Sequence, residues 1–255
     1  YQSHSAHQTP MEPRVAVAEV DASGRLTVRT STQGPFLVRH QMHEALDMPL
    51  SQIRVMAETV GGGFGSKLEA SVEMYAGLLA RETGRPVRVA NTREEDLTTG
   101  APRHPMTHFL RTAVAADGTI LGREAKVIMD AGAYSGASAL LTSIASMLAP
   151  GPYRIPNVKV EVLAVHTNKM SFGSYRAPTG PQTVFAVESH TDAIARELGI
   201  DPVEFRLRNL MADGDTGHSG QALTGVGARE TLQQAAAAIR WGESSEPSAP
   251  GLVRG

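Results

Sequence analysis

The chain has 255 residues, 41% hydrophobic and 20% charged, with a formal net charge of −2; it is long enough for one large domain or two small ones and has the makeup of a soluble globular protein. The near-neutral charge removes the case for nucleic acid or an anionic membrane surface as partner. The absence of cysteine excludes a disulfide scaffold, a cysteine nucleophile and a thiolate-ligated cluster within this chain. It fits a reducing compartment; with no apolar run of transmembrane length and no visible signal peptide, a cytoplasmic location is expected.

The chain opens at Tyr1 on a Gln/Ser/His-rich stretch and closes on Gly242-Glu243-Ser244-Ser245-Glu246-Pro247, so 242–255 reads as a linker-like tail and both ends read as cut from something longer. His4 and His7 have no third ligand near them, and residues 1–12 read as solvated loop. Val15 to Glu19 alternates as a strand, Asp21-Ala22-Ser23-Gly24 turns, and Leu26 to Arg29 returns, a hairpin. The polar run Thr30 to Pro35 ends the strand in a loop able to carry a site. Helical spacing over Val38 to Leu46 turns Val38, Met42, Ala45 and Leu46 inward. After a strand at Ile53 to Met56, a helix from about Lys67 to Arg81 places Leu68, Val72, Tyr75, Leu78 and Leu79 on one stripe, with Gly84 as its stop.

Pro86 to Ala90 is a short strand, and Thr92 with Glu95 three residues on is a capping box. Thr107 to Ala115 and Ile120 to Met129 flank the turn Asp117-Gly118, a second hairpin. A small-residue stretch at Asp130 to Gly136 and a strand at Val158 to Val165 follow. Helices are expected at Gln182 to Leu198, at Asp201 to Met211 with Asp201 as cap and Pro202 first, and at Ala228 to Trp241. The fold class is α+β: mixed and antiparallel sheets with β-hairpins, and helices packed on one face. Residues 1–241 are expected to form one domain, divisible into sub-lobes of about 1–100 and 101–241.

The unusual stretch is Val60-Gly61-Gly62-Gly63-Phe64-Gly65-Ser66-Lys67-Leu68. Four glycines in five positions give nothing to pack and cost conformational entropy, so the backbone there must turn sharply or approach something closely. Between a strand and a helix, such a loop presents N–H groups suited to an anion. It is not a phosphate-binding P-loop, because Lys67 is followed by Leu68, and not a dinucleotide fingerprint, because Ser66 stands where the last glycine belongs. Phe64 is either a plug into the core or a wall against a ligand. A second unusual loop, Ser174-Tyr175-Arg176-Ala177-Pro178-Thr179-Gly180-Pro181-Gln182, also precedes a helix, and both loops could serve one site.

These residues carry a resemblance. Gly61 to Gly65 with Ser66-Lys67 is similar to the glycine loop of the xanthine dehydrogenase and aldehyde oxidase family, molybdenum hydroxylases. Six further segments agree in order: Pro10-Met11-Glu12-Pro13, Thr30-Ser31-Thr32-Gln33, Thr92-Arg93-Glu94-Glu95, Tyr153-Arg154-Ile155-Pro156-Asn157, Tyr175-Arg176 with Gly180-Pro181-Gln182, and Glu197 to Pro202 through Arg208-Asn209-Leu210. The match runs from Tyr1 to about Trp241, in the molybdopterin-binding region of the large subunit. The resemblance implies that Gln33 hydrogen-bonds an oxygen ligand of molybdenum. It implies that Gly62, Gly63, Phe64 and Gly65 pack against the metal centre and that the Arg176 loop contacts the cofactor beside it. The bland readings are a loop cap for Gln33, a core plug for Phe64 and a surface ion pair for Arg176.

Departures from the family narrow the expectation. Purine hydroxylases carry a glutamate at the position of Leu68, an arginine near Ile144 and an aromatic at Pro178; a pocket lined by these three apolar residues favours aldehydes or N-heterocycles over xanthine. Ala177 stands where the copper-binding cysteine of carbon monoxide dehydrogenases would be, which puts that activity in doubt. The family's general-base glutamate is expected beyond Gly255, so no catalytic residue or direct metal ligand is assigned here, and the isolated chain is expected to be inactive. The partners implied are the remainder of its own large subunit, iron–sulfur and FAD subunits or domains, and a small-molecule substrate. Two competing readings are a non-catalytic assembly domain that keeps the fold and a nucleotide-binding enzyme that uses the glycine loop.

Overall fold

The computed structural model describes residues 1–243. They divide into two compact units, one of Tyr1–His108, Val127–Ser146 and Val162–Thr183, the other of Phe109–Lys126, Met147–Glu161 and the described residues from Val184 on. The Gly242 to Pro247 tail lies mostly outside the described residues.

The first sheet, in the first unit, has the order β4-β3-β2-β5. Strands β2 (Val15–Val20) and β3 (Leu26–Thr30) form the expected hairpin, paired antiparallel from Ala16 opposite Thr30 to Val20 opposite Leu26. The Asp21 carboxylate closes its turn by accepting the N–H groups of Ser23 at 2.9 Å and Arg25 at 3.1 Å. Strand β4 (Ile53–Met56) adds in parallel to β3, and β5 (Val87–Ala90) antiparallel to β2.

Alternation turns Ala16, Ala18, Leu26 and Val28 to one face. Helices α1 (Pro35–Leu46) and α2 (Val72–Thr83) cover that face with Val38, Met42 and Leu46, and with Val72, Ala76 and Ala80. Burying each larger aliphatic side chain there contributes about 1.5–3 kcal/mol.

The inward stripe of α2 differs from expectation. The helix starts at Val72, capped by the Ser71 hydroxyl, and not at Lys67. Its buried face carries Val72, Glu73, Ala76, Gly77 and Ala80, while Tyr75 is 66% exposed and Leu78 and Leu79 are also on the surface. Gly77 explains the choice: a Cβ there would lie 2.8 Å from Met42 Cε and 3.2 Å from Leu26 Cδ2. The helix lies too close to α1 and the sheet for large side chains, so shape overrides hydrophobicity. On α1, Ala45 likewise faces solvent.

The N-terminal segment is not the solvated loop expected. Strand β1 (Gln2–Ser3) pairs with β6 (Met106–Val114), and Gln8 is buried. The second sheet has the order β1-β6-β7-β8, with β7 (Ile120–Gly132) and β8 (Val158–His166). In the first unit, Met106, Val127 and Met129 pack with Leu141 and Ala145 of α4 (Ser138–Leu148), a helix the sequence reading did not assign. Buried His104 meets Ser138 Oγ at 3.2 Å, and buried His108 meets Thr183 Oγ1 at 3.3 Å.

In the second unit, Ile120, Tyr153, Ile155, Val187, Phe205 and Leu210 form a separate core. It draws on α5 (Gly180–Glu197) and α6 (Pro202–Asn209). The Asp201 carboxylate caps α6 as expected, accepting from Val203 and Glu204 N–H. Buried Asn209 ties the end of α6 to the hairpin turn: its Nδ2 donates to Gly118 O and Phe205 O at 2.9 Å, and its Oδ1 accepts from Ile120 N–H at 2.9 Å. A last helix, α7 (Ala228–Ala238), lays Ala228 and Leu232 on this core. Helix α3 (Arg93–Thr99) opens with the full Thr92–Glu95 capping box.

Asn209→Ala strands the Ile120 N–H and the Gly118 carbonyl, and is expected to lower unfolding free energy by about 1–3 kcal/mol in denaturant titration. Burial depresses the imidazoles of His104 and His108 to a pKa of about 4, from 6.5. The unfolded chain therefore binds more protons between these values. The stabilisation is complete above pH 6.5 and is lost as pH falls to 4, at up to about 1.4 kcal/mol per pH unit for each histidine. Denaturant midpoints measured across that window check this.

Candidate cofactor-binding site

The glycine loop lies in the first unit and is held at both ends by charged side chains from the approach to β2. The Glu12 carboxylate accepts from Gly61 N–H at 2.8 Å and from Lys67 Nζ at 2.7 Å. Lys67 is only 2% exposed, so this carboxylate compensates a buried ammonium. Burial pushes the Glu12 carboxyl up, but the bonds from Lys67 and the Gly61 N–H outweigh it and hold the carboxyl below its usual range.

Two residues on, Arg14 Nη1 meets Asp96 Oδ1 at 3.0 Å, with both side chains buried, and Arg14 Nη2 donates to Ser66 O at 2.6 Å. The Thr32 hydroxyl donates to Lys67 O at 2.9 Å, and the Ser66 hydroxyl donates to Gly63 O at 2.8 Å.

Gln33 lies directly against this loop. Its Oε1 accepts from Gly65 N–H at 2.8 Å, and its N–H donates to Lys67 O at 2.9 Å. A Cβ on Gly63 would collide with the Gln33 amide, so glycine is what lets the two approach. Gln33 thus braces the loop. Its Nε2 has no partner among the described residues and remains able to donate.

Phe64 is not a core plug. It is 44% exposed, at φ 55°, and its ring lies over Gly62, where a Cβ would be 3.2 Å from Phe64 Cε2. The Arg176 loop meets the glycine loop through backbone: Arg176 N–H donates to Phe64 O at 3.0 Å. Gly65, at φ 101°, leaves no room for a Cβ against Ser174 O. The Arg176 side chain is exposed, and its guanidinium has no ion-pair partner among the described residues. Three segments far apart in sequence therefore converge within one unit.

The loop does not sit at a helix N-terminus, because a turn at 64–67 and the stretch to Ser71 separate it from α2. Its anion-friendly character comes instead from its own backbone. The N–H groups of Gly62, Gly63 and Phe64 have no acceptor among the described residues. With Gln33 Nε2 and the Arg176 guanidinium they make a set of unused donors, which suits a group rich in acceptor atoms. That donor set, around glycines cleared for close approach, fits a molybdopterin.

Leu68, Ile144 and Pro178 are all half-buried residues of this unit. Leu68 lies beside Gly34, its carbonyl 3.3 Å from where a Cβ would stand. Ile144 packs on the cluster of Met106, Val127 and Met129, to which neither Leu68 nor Pro178 belongs. The sequence reading missed Arg14, Asp96 and Lys67 as the loop's supports, and Glu12 within its quoted motif. An acid and a base flanking Pro13, with a second acid in the first turn of α3, were the only signal.

The profile of the molybdopterin cofactor-binding domain matches residues 1–210. The chain belongs to that family. The nicotinate dehydrogenase large molybdopterin subunit of Eubacterium barkeri is 36% identical over 236 residues, 92% of this chain and 56% of that protein. Among solved structures, aldehyde oxidoreductase from Desulfovibrio gigas superposes with a TM-score of 0.91 at 28% identity, over 94% of this chain and 26% of that one. Quinoline 2-oxidoreductase from Pseudomonas putida 86 gives 0.88 at 31% identity, over 94% and 32%. The chain thus spans from about a quarter to just over half of these relatives. It is a molybdopterin-binding domain of the xanthine dehydrogenase and aldehyde oxidase type, covering part of a large subunit.

In this domain Gly65→Ala forces a side chain into positive φ and against Ser174. It is expected to cost about 1–3 kcal/mol or more of stability, read from the denaturant midpoint.

Proposed function

We propose that the subunit containing this domain is a molybdenum hydroxylase acting on an aldehyde or an N-heterocycle, and that residues 1–241 are its first molybdopterin-binding domain and one wall of its active site. The supporting observation is the convergence of Gln33, the glycine loop and the Arg176 loop, with unused donors at each. When bound, the molybdenum–molybdopterin group supplies the redox centre for oxidative hydroxylation with water as oxygen donor.

The chain's own part is to bind and orient. Gln33 Nε2 and the N–H groups of Gly62, Gly63 and Phe64 donate to acceptor atoms of the cofactor. Phe64 shields that side from bulk water, and the Arg176 loop closes it. Fixed donors of this kind need no reorganisation as charge develops, which is where such groups gain their effect.

Leu68, Ile144 and Pro178 offer a substrate no hydrogen bonds, which disfavours a hydroxypurine. Relatives named for nicotinate, quinoline and aldehydes stand beside others of similar identity named as xanthine dehydrogenases, so the choice rests on these three side chains. In this reading the general base, a glutamate, comes from a part of the large subunit other than this domain, and the isolated domain is inactive. Iron–sulfur and FAD subunits or domains would be the partners that take up the electrons, and the assembly would be cytoplasmic.

Metal analysis of the purified full-length subunit is the test. About one molybdenum per subunit is expected, and Gln33→Ala is expected to lower kcat by roughly a hundredfold, as for loss of one fixed donor. A subunit free of molybdenum sinks this reading in favour of a non-catalytic assembly domain.

A further inference from the structure

The Arg176 loop holds two non-glycine residues at positive φ, Ala177 at 55° and Thr179 at 62°. A β-branched residue in this region is an outlier, and such strain persists only where the surroundings enforce it. Thr179 is 2% exposed, and its hydroxyl has no partner among the described residues. Its carbonyl accepts from Thr183 N–H at 3.0 Å, so it stands at the N-cap of α5.

From Thr179 to Gln182 the sequence has the order of a capping box, like the one that forms at Thr92 and Glu95. Neither member is used that way. Gln182 Oε1 accepts from Arg103 Nη1 at 3.0 Å, and Gln182 Nε2 donates to His104 O at 3.1 Å. Arg103 Nη2 donates to Arg176 O at 3.0 Å, and the guanidinium lies 4.3 Å from the centre of the Tyr175 ring. Arg103 is itself fixed, its N–H donating to Ala6 O at 2.9 Å. The Arg176 peptide thus receives a bond from Arg103 on its carbonyl, while its N–H bonds Phe64.

We propose that Arg103 and Gln182 are a positioning pair: Gln182 forgoes the local cap of α5 to fix Arg103, and Arg103 holds the Arg176 loop, in a strained backbone, against the glycine loop. The proposal rests on the reading of that loop as a wall of the cofactor site. The task suits arginine, whose planar fork serves two acceptors while its face stacks on a ring; lysine offers a point charge only.

The test uses the full-length subunit with four variants: Arg103→Met, Arg103→Lys, Thr179→Gly and the double variant Arg103→Met/Thr179→Gly. Hydrogen exchange over residues 173–179, thermal midpoint, molybdenum content and separate kcat and KM values are measured. Both Arg103 variants are expected to speed exchange in 173–179 and to lower kcat by about a hundredfold with KM little changed, as for a misplaced wall. Thr179→Gly is expected to raise the thermal midpoint by a few degrees, because glycine takes positive φ freely. In the double variant it is expected to recover part of the loss, since the two positions are coupled through the loop.

Exchange and kcat at the unmodified level in Arg103→Met or Arg103→Lys overturn the proposal. Exchange over 173–179 in the double variant no slower than in Arg103→Met alone does so too. If the unmodified subunit holds no molybdenum, the functional reading fails, while the exchange measurements still decide the positioning pair.

Discussion

The site depends on two ion pairs that leave the main chain two residues apart. Glu12 holds the beginning and end of the glycine loop through Gly61 and Lys67, and Arg14, fixed by Asp96, holds Ser66. A run of glycines has no side chains with which to choose one conformation, so the choice must come from outside it. Charge-assisted hydrogen bonds serve that purpose because they are short, directional and costly to leave half-made in a buried setting.

Everything nearer the ligand side is built on that support. The sheet β4-β3-β2-β5 carries Thr30 at its rim, and Thr32 and Gln33 follow it directly onto the loop. Gln33 braces one edge of the glycine loop, and the Arg176 peptide braces the other through Phe64. Residues with positive φ crowd the contact: Gly62, Phe64 and Gly65 on one side, Ala177 and Thr179 on the other. Local preference yields there to the geometry of the two loops in contact.

What was legible in the sequence was local. The hairpin turn at Asp21, the capping box at Thr92 and the cap at Asp201 are each decided within four residues, and each formed as read. The start of α2 was not legible, because apolar Leu68 continues the helical period past the true boundary at Ser71. Helix α4 was missed because its run of apolar and small residues shows little polar face. The supports of the glycine loop escaped for another reason: Glu12 pairs with Lys67 and Arg14 with Asp96, across separations that no spacing rule covers. Periodicity left Phe64 open between plug and wall, and only its exposure in the fold rules out the plug.

The buried ammonium of Lys67 gives the domain a built-in chemical reporter. The chain has four lysines. Lys126, Lys159 and Lys169 project into solvent, whereas the Lys67 side chain is 1% accessible. An amine-acylating reagent meets three of them at once and reaches the fourth only when Glu12 lets go. The labelling rate at this single amine therefore measures how often the loop opens, with no cofactor, substrate or turnover required.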